Sequence, residues 1–250
     1  MKRHSLVACI ALFIFNYLAL PQNHSMKISD SLRAHSEFWE AKRRSVGAAG
    51  KYEFGPYKII SGHKGFTTTK TKSKLFSRFS EEESKQKSSF VFTDQKDTLV
   101  VNISDQSILH VERAPAGMVF DRRGITIEPV NEAKITTSQN NFSAIISPNS
   151  DAGEWVILYG LVRDSLKQKH YVYALTDGTT EIELRDVNVG ADGKTSMMWT
   201  YHGYEFFLNG RAVAAVQTAA KQYVWLANDL DPKMKTILAV AMTAMLFHDI

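Results

Sequence analysis

Residues 234–247 read MKTILAVAMTAMLF, a run that favours a helix and is apolar on almost every face. It follows Asp231 and Pro232, of which the first can cap a helix and the second suits its first turn. A helix that is apolar all round must be buried on all sides or lie in lipid. The run is shorter than the roughly 20 apolar residues that cross a bilayer, and Lys233 and Lys235 also oppose insertion in lipid. We therefore predict that this helix fills the middle of a folded body.

The apolar pattern changes to a period of two from Lys51 onward, which indicates strands. About a dozen short strands separated by turn signals such as Asp177-Gly178 and Asn209-Gly210 are typical of a sandwich or a barrel. A strand-rich body needs something to fill its middle, and the apolar helix needs an apolar jacket. We therefore predict a mainly β fold, a closed β-barrel of about twelve strands around the hydrophobic C-terminal helix, with residues 51–250 as one domain.

The N-terminal segment has the features of an export signal. Lys2 and Arg3 precede an apolar run over residues 6–20, as in the first two regions of a secretory signal. We predict that residues 1–22 are a signal peptide or an N-terminal anchor, with the uncleaved anchor as the alternative. Cys9 lies at the start of the run rather than after it, so we favour a small apolar residue of the signal over a lipidated cysteine. The expected location is outside the cytoplasm: periplasmic, cell-surface or secreted.

Residues 23–50 are predicted to be a linker followed by one helix outside the barrel. The helix is expected over residues 31–46, where apolar and long side chains recur near helical spacing: Leu32, His35, Phe38, Trp39 and Arg43. It ends before Gly47.

The C-terminal part of the chain also carries a family resemblance. The sequence YVWLANDLDP at residues 223–232 leads into KTILAVA at residues 235–241, and LNGRAVA at residues 208–214 forms a strand-turn-strand before them. This order resembles the tubby C-terminal-like superfamily, which includes tubby proteins, LURP-one-related plant proteins and phospholipid scramblases. The resemblance implies a roughly twelve-stranded barrel around a hydrophobic C-terminal helix. It further implies either binding of membrane lipid, often through Lys and Arg on the barrel surface, or no known activity.

The densest basic stretch is the candidate ligand-binding site, and its members are Lys64, Lys70, Lys72, Lys74 and Arg78. Alternate residues of a strand share one face, so the three central lysines would form a row. Such a row could bind phosphate groups, and the partner it indicates is anionic lipid or a membrane surface. The alternative is a solvated edge strand that lysines protect from aggregation, and the acids of residues 81–83 favour it.

Other function classes find no support in the sequence. The net charge of +4 includes Lys2 and Arg3, and the remaining excess is too small to indicate nucleic acid binding. Cys9 is the only cysteine, so the folded body has no disulfide, and the eight histidines form no metal-binding motif. No phosphate-binding loop, nucleophile elbow or dinucleotide fingerprint is present. We predict a protein without metal, cofactor or enzymatic activity; the alternative is an envelope hydrolase with a dispersed catalytic site.

Overall fold

The computed structural model describes residues 25–44, 51–73, 79–113, 117–121, 124–128, 133–148, 153–164, 169–195 and 202–248. Its helices are α1 (Asp30–Ala34) and α2 (Pro232–His248). Its strands are β1 (Ser36–Glu40), β2 (Lys42–Arg44), β3 (Lys51–Phe54), β4 (Tyr57–Lys64), β5 (Thr68–Ser73), β6 (Phe79–Thr93), β7 (Thr98–Arg113), β8 (Gly117–Asp121), β9 (Gly124–Glu128), β10 (Ala133–Pro148), β11 (Trp155–Asp164), β12 (Lys169–Thr176), β13 (Glu181–Val187), β14 (Gly203–Leu208), β15 (Arg211–Gln217) and β16 (Tyr223–Ala227). The predicted signal or anchor, residues 1–22, lies outside the described residues.

A nearly closed, barrel-shaped sheet of 13 antiparallel strands dominates the structure. Its strand order is β1-β16-β15-β14-β13-β12-β11-β10-β7-β6-β4-β3-β2, with β5 added to β6 and with β8 and β9 as a separate hairpin. The two ends of this order, β1 and β2, are separated in the chain by Ala41 alone. The N–H of Ala41 donates to the carbonyl of Gln222 at 2.9 Å. The mainly β prediction is confirmed, and the chain itself joins the two edges of the sheet.

The interior is occupied by α2, as the sequence predicts. Every residue of α2 from Thr236 to Phe247 is buried, and the helix contacts β7 and β10 on one side and β15 and β16 on another. Asp231 caps its start, because the N–H of Met234 donates to the carboxylate of Asp231 at 2.9 Å. The hydroxyl of the buried Thr243 donates to the carbonyl of Ala239 at 2.7 Å, so this buried polar group is hydrogen-bonded within the helix.

The helix predicted over residues 31–46 is wrong, except for the single turn of α1. From Ser36 to Arg44 the described part of the segment forms β1 and β2, because β1 pairs with β16 in a register that sets Phe38 opposite Trp225. Phe38 and Trp39 then lie on opposite faces of the sheet. The ring of Phe38 is 5.2 Å from those of Tyr223 and Trp225, whereas Trp39 packs against the barrel core. One aromatic side chain thus packs on each face of a paired strand. These contacts favour the strand over the helix that the spacing of the apolar residues predicts.

The turn between β6 and β7 holds the first turn of α2. One carboxylate oxygen of Asp94 accepts the N–H groups of Lys96 and Asp97 at 2.9 and 2.7 Å, and the other accepts the Thr236 hydroxyl at 2.6 Å. Burial alone would raise the pKa of Asp94, but the hydrogen bonds that its carboxylate accepts outweigh burial and lower the pKa. The charged form of Asp94 is therefore favoured by folding.

We expect Asp94→Asn to weaken the protein more at pH 7 than at pH 3. A carboxyl whose pKa is lowered in the folded state stabilises the fold above its unfolded pKa, near 3.9, and loses this contribution as the pH falls through the folded value. The asparagine side chain does not titrate, so urea unfolding at pH 7, 5 and 3 should show a flatter pH dependence for the variant. Thr236→Val, which removes only one donor, is the control for lost contact without lost charge. A wild-type-to-variant difference that stays constant with pH would contradict this assignment.

Three strands extend well beyond the helix. β6, β7 and β10 have 15, 16 and 16 residues. One half of each carries alternating buried apolar residues of the core, and the other half runs on past the end of α2. β4 and β5 lie in line along β6, with β4 paired to its second half and β5 to its first. This extension of the strands positions the candidate site.

Candidate ligand pocket at the barrel mouth

The inner face of the sheet changes from apolar to polar at one level. Alternate residues share a face, so Phe90 and Gln86 are both inward on β6, Ile103 and Asp105 on β7, and Phe142 and Asn140 on β10. The strand registers align the polar residues side by side. Gln86 and Phe142 both lie opposite Asp105, whereas Ser84 and Asn140 both lie opposite Ser107. The polar patch thus follows directly from the register of three long strands.

A cavity of about 360 Å³ opens over this patch. Its inward-facing polar lining includes Ser84, Gln86, Asp105, Ser107 and Asn140, and we call the cavity the mouth pocket. Lys64 also lines it and belongs to the same face, because it lies opposite the buried Ser88. The volume falls in the range of small-molecule sites, about 300–1,000 Å³.

The floor of the mouth pocket is the end of α2. The ring of His248 packs on that of the buried Phe142 at a tilt of 38°, with centroids 4.5 Å apart, and its Nδ1 lies 2.9 Å from a carboxylate oxygen of Asp105. Below it, Phe247 packs on Phe90 at 5.4 Å. His248 is the last residue of α2. The helix therefore contributes a titratable group to the pocket as well as a core to the barrel.

One wall of the pocket is aromatic. Tyr159 lies opposite Phe142 in the register of β10 and β11, and its ring meets that of Tyr204 edge-on, with centroids 6.0 Å apart. The ring of Tyr159 is also 6.3 Å from that of His248. A ring held on two sides by other rings offers a firm apolar surface beside the polar patch.

The segment between β4 and β5 is fixed against β6 at the rim. The N–H of Gly65 donates to the carbonyl of Lys87 at 2.9 Å, and the carbonyl of Gly65 accepts the side-chain amide of Gln86 at 2.6 Å. A side chain at Gly65 would place its Cβ 2.2 Å from the Lys87 carbonyl oxygen, so only glycine allows this approach. This contact sets the orientation of the Gln86 carboxamide in the pocket.

The basic stretch predicted from sequence divides between two faces. Lys64 lines the mouth pocket, whereas Lys70 and Lys72 lie on β5 opposite Glu83 and Glu81, which are on the outer face. The Nζ of Lys72 is 2.9 Å from Glu81, and this hydrogen bond raises the pKa of Lys72. The two remaining predicted residues, Lys74 and Arg78, lie outside the described residues.

Glu83 itself is shared between two partners. Its carboxylate is 2.6 Å from the Nζ of Lys85 and accepts the amide of Gln106 at 2.7 Å. The hydrogen bond from Lys85 lowers the pKa of Glu83. On the outer face, Lys72 and Lys85 therefore each lie beside a carboxylate of opposite charge.

The pocket residues other than Lys64 were missed from sequence. They come from separate strands in which a polar run interrupts the alternation, and the signal is weak: SDQS at residues 104–107 and QNN at residues 139–141.

In the described part of the chain, no three His, Cys, Asp or Glu side chains are grouped to hold a metal ion. None of the helices in those same residues has both the length and the apolar character needed to cross a membrane.

Comparison with known proteins gives no relative from which a function could be transferred. No family profile, curated protein or solved structure matches the chain.

Proposed function

We propose that the chain is an exported, non-enzymatic β-barrel of tubby-like architecture that binds a small ligand at the cell envelope. In this proposal the barrel is fully closed around α2, the N-terminal segment directs export, and the mouth pocket is the binding site. The observation that carries ligand binding is the cavity of about 360 Å³ whose polar lining is aligned by strand register above an apolar core. A few convergent polar groups beside apolar walls are the usual composition of a ligand site.

The mouth pocket supports this function better than the outer row of lysines does. Attraction to an anionic membrane requires a net positive surface. Lys70 and Lys72 lie opposite Glu83 and Glu81, so the described part of that row is close to neutral. Lipid binding by the row, with Lys74 and Arg78 included, remains the weaker form of the proposal.

A tryptophan placed at Ser107 should block the pocket and abolish ligand binding. Ser107 lies at the centre of the polar patch, whereas Ser104 is exposed on the outer face of the same strand. A ligand that binds only the folded state stabilises it by about 2.7 kcal/mol when present at 100 times its Kd. In a thermal-shift screen of water-soluble metabolites and short-chain phospholipids, a true ligand should therefore stabilise the wild type and Ser104→Trp but not Ser107→Trp.

The same screen can contradict the proposal. If every compound that stabilises the wild type also stabilises Ser107→Trp, the mouth pocket is not the site. If only anionic phospholipids act, and do so in Ser107→Trp as well, the outer row of lysines is favoured instead.

A second candidate function is hydrolysis in the same pocket. Nδ1 of His248 lies 2.9 Å from the Asp105 carboxylate, an acid–histidine pair of the kind found in catalytic triads, and the side chains of Ser84 and Ser107 line the same cavity. Turnover of ester, glycoside or peptide substrates that is lost in His248→Gln and kept in Ser104→Ala would establish this function. If no ester, glycoside or peptide substrate is turned over, hydrolysis is excluded for these classes and ligand binding is the function that the pocket supports.

A further inference from the structure

We propose that the ligand of the mouth pocket is a neutral polyhydroxylated molecule, a sugar or a sugar-like compound. This inference rests on the proposed function, because it names the chemical class that the same pocket selects. It is carried by three features of the lining, which are groups that both donate and accept hydrogen bonds, the fixed placement of those groups, and an apolar wall beside them. The balance of charge in the pocket supports it further.

The first feature is the hydrogen-bonding capacity of the patch. Gln86 and Asn140 each carry a carboxamide, and Ser84 and Ser107 each carry a hydroxyl that can donate and accept. Gln86 already gives one donor hydrogen to the Gly65 carbonyl, and the Ser84 hydroxyl lies 3.0 Å from that of Thr69, so the remaining donors and acceptors are those that a ligand can use. Asp105 adds an acceptor. A sugar hydroxyl is also both donor and acceptor, so a row of such groups matches this lining at several points. Flat aromatic or fully apolar ligands would leave these polar groups desolvated without partners.

The second feature is that the polar groups are held in place. The register sets Ser84 and Asn140 on either side of Ser107, and side chains directly opposite one another across strands have Cβ atoms about 4.5–5.5 Å apart. Gln86 is further oriented by its 2.6 Å hydrogen bond to the Gly65 carbonyl. A site that is ordered before binding loses less conformational entropy on binding.

The third feature is the aromatic wall. One face of a pyranose ring presents C–H groups, which pack on an aromatic ring while the hydroxyls at the edge point to polar partners. Tyr159 borders the polar patch, and its contacts with Tyr204 and His248 fix its ring. The pocket thus has an apolar surface and a polar surface next to each other, as an amphipathic sugar requires.

Charge argues against a phosphate or carboxylate ligand. The charged side chains on the inward face of the lining are Lys64 and Asp105, and Nδ1 of His248 lies 2.9 Å from the Asp105 carboxylate. Lys85 also borders the cavity, but its position in β6 is on the outward side, and its Nζ lies 2.6 Å from the Glu83 carboxylate. Asp105 would repel an anion placed at the centre of the patch, and the described lining has no arginine to bind a phosphate or carboxylate through two parallel hydrogen bonds.

The test is ligand-observed NMR on the full chain. The neutral probes are glucose, N-acetylglucosamine and maltose, and the anionic probes are inorganic phosphate and acetate. At least one neutral probe should bind the wild type and Ser104→Trp and fail to bind Ser107→Trp. Asn140→Leu should weaken that binding about five- to tenfold, the loss of one hydrogen bond. Lys64→Met should weaken it no more than about threefold, and salt should have little effect.

Opposite results overturn the inference in distinguishable ways. If phosphate or acetate binds in a manner that Ser107→Trp abolishes, and Lys64→Met weakens it more than Asn140→Leu does, the ligand is anionic and the proposed function stands. If no neutral probe shows binding that depends on Ser107, the polyhydroxyl class is wrong. The proposed function fails as well only if the wider thermal-shift screen also yields no compound that depends on Ser107. The exposed Asn102→Leu on β7 controls for loss of a carboxamide away from the pocket.

Discussion

Replacing Val240 with Asp is expected to leave no folded protein. Val240 is fully buried near the middle of α2, and its neighbours Ala239 and Ala241 are equally inaccessible. A carboxylate at this position would lose its water without gaining a partner, at a cost of several kcal/mol. The total stability of a natural domain is only about 5–15 kcal/mol, and the lost valine contacts add to the deficit. Circular dichroism and size-exclusion chromatography of purified variant should show unfolded or aggregated material.

Two further variants of α2 are controls that separate the effect of a buried charge from the effect of substitution itself. Met242→Leu keeps the volume and apolar character of a fully buried site and should cost less than about 1.5 kcal/mol. Lys233→Asp changes the charge at an exposed position in the first turn, where an acid suits the helix dipole, and should be tolerated. A folded Val240→Asp protein with wild-type thermal stability would show that α2 is not the core.

The second large effect is expected at the junction of β1 and β2. Ala41 joins the two edges of the sheet, and its N–H donates to the carbonyl of Gln222 at 2.9 Å. Proline at this position removes the donor and puts its ring where the hydrogen bond was. We expect Ala41→Pro to lower the free energy of unfolding by roughly 3 kcal/mol, measured by urea denaturation, because an unpaired carbonyl and a steric clash act together.

Ala41→Gly is the matched control for this junction. It removes the small buried side chain but keeps the N–H, so it should cost about 1 kcal/mol or less. If proline destabilises no more than glycine does, the lost N–H donor adds nothing and the backbone hydrogen bond has no special role in joining the edges.

The sequence predicts best where burial repeats along one element. The uniform apolar character of residues 234–247, in a run too short to cross a bilayer, predicts a buried helix, and the buried residues of α2 confirm it. β15 and β16, predicted as residues 212–217 and 223–227, are also confirmed within one residue of their observed bounds. The sequence of residues 36–44 predicts a helix instead of two strands, because the strands that pair with this segment, β16 and β3, lie outside it in the chain. Strand pairing decided its structure, and no local pattern records that pairing.

The pocket could not be predicted for a different reason. Asp105, Asn140 and His248 are far apart in the chain and meet only through the register of long strands and the length of α2. A polar residue in an exposed strand and one that lines a cavity have the same local pattern. Lys64 was singled out for its basic neighbours, yet the structure places it on the other face from Lys70 and Lys72.

The order in which the chain is synthesised conflicts with the order in which the barrel is assembled. β1 leaves the ribosome before the other strands of the sheet but pairs with β16, and α2, the centre of the core, is translated after all of them. Until β16 and α2 have been synthesised, the earlier strands therefore lack both the helix that they pack against and the partner strand of β1. Long-range pairing of this kind folds slowly and exposes apolar strands in the meantime. Nascent chains of this protein should consequently depend on chaperones that hold them unfolded until α2 is released.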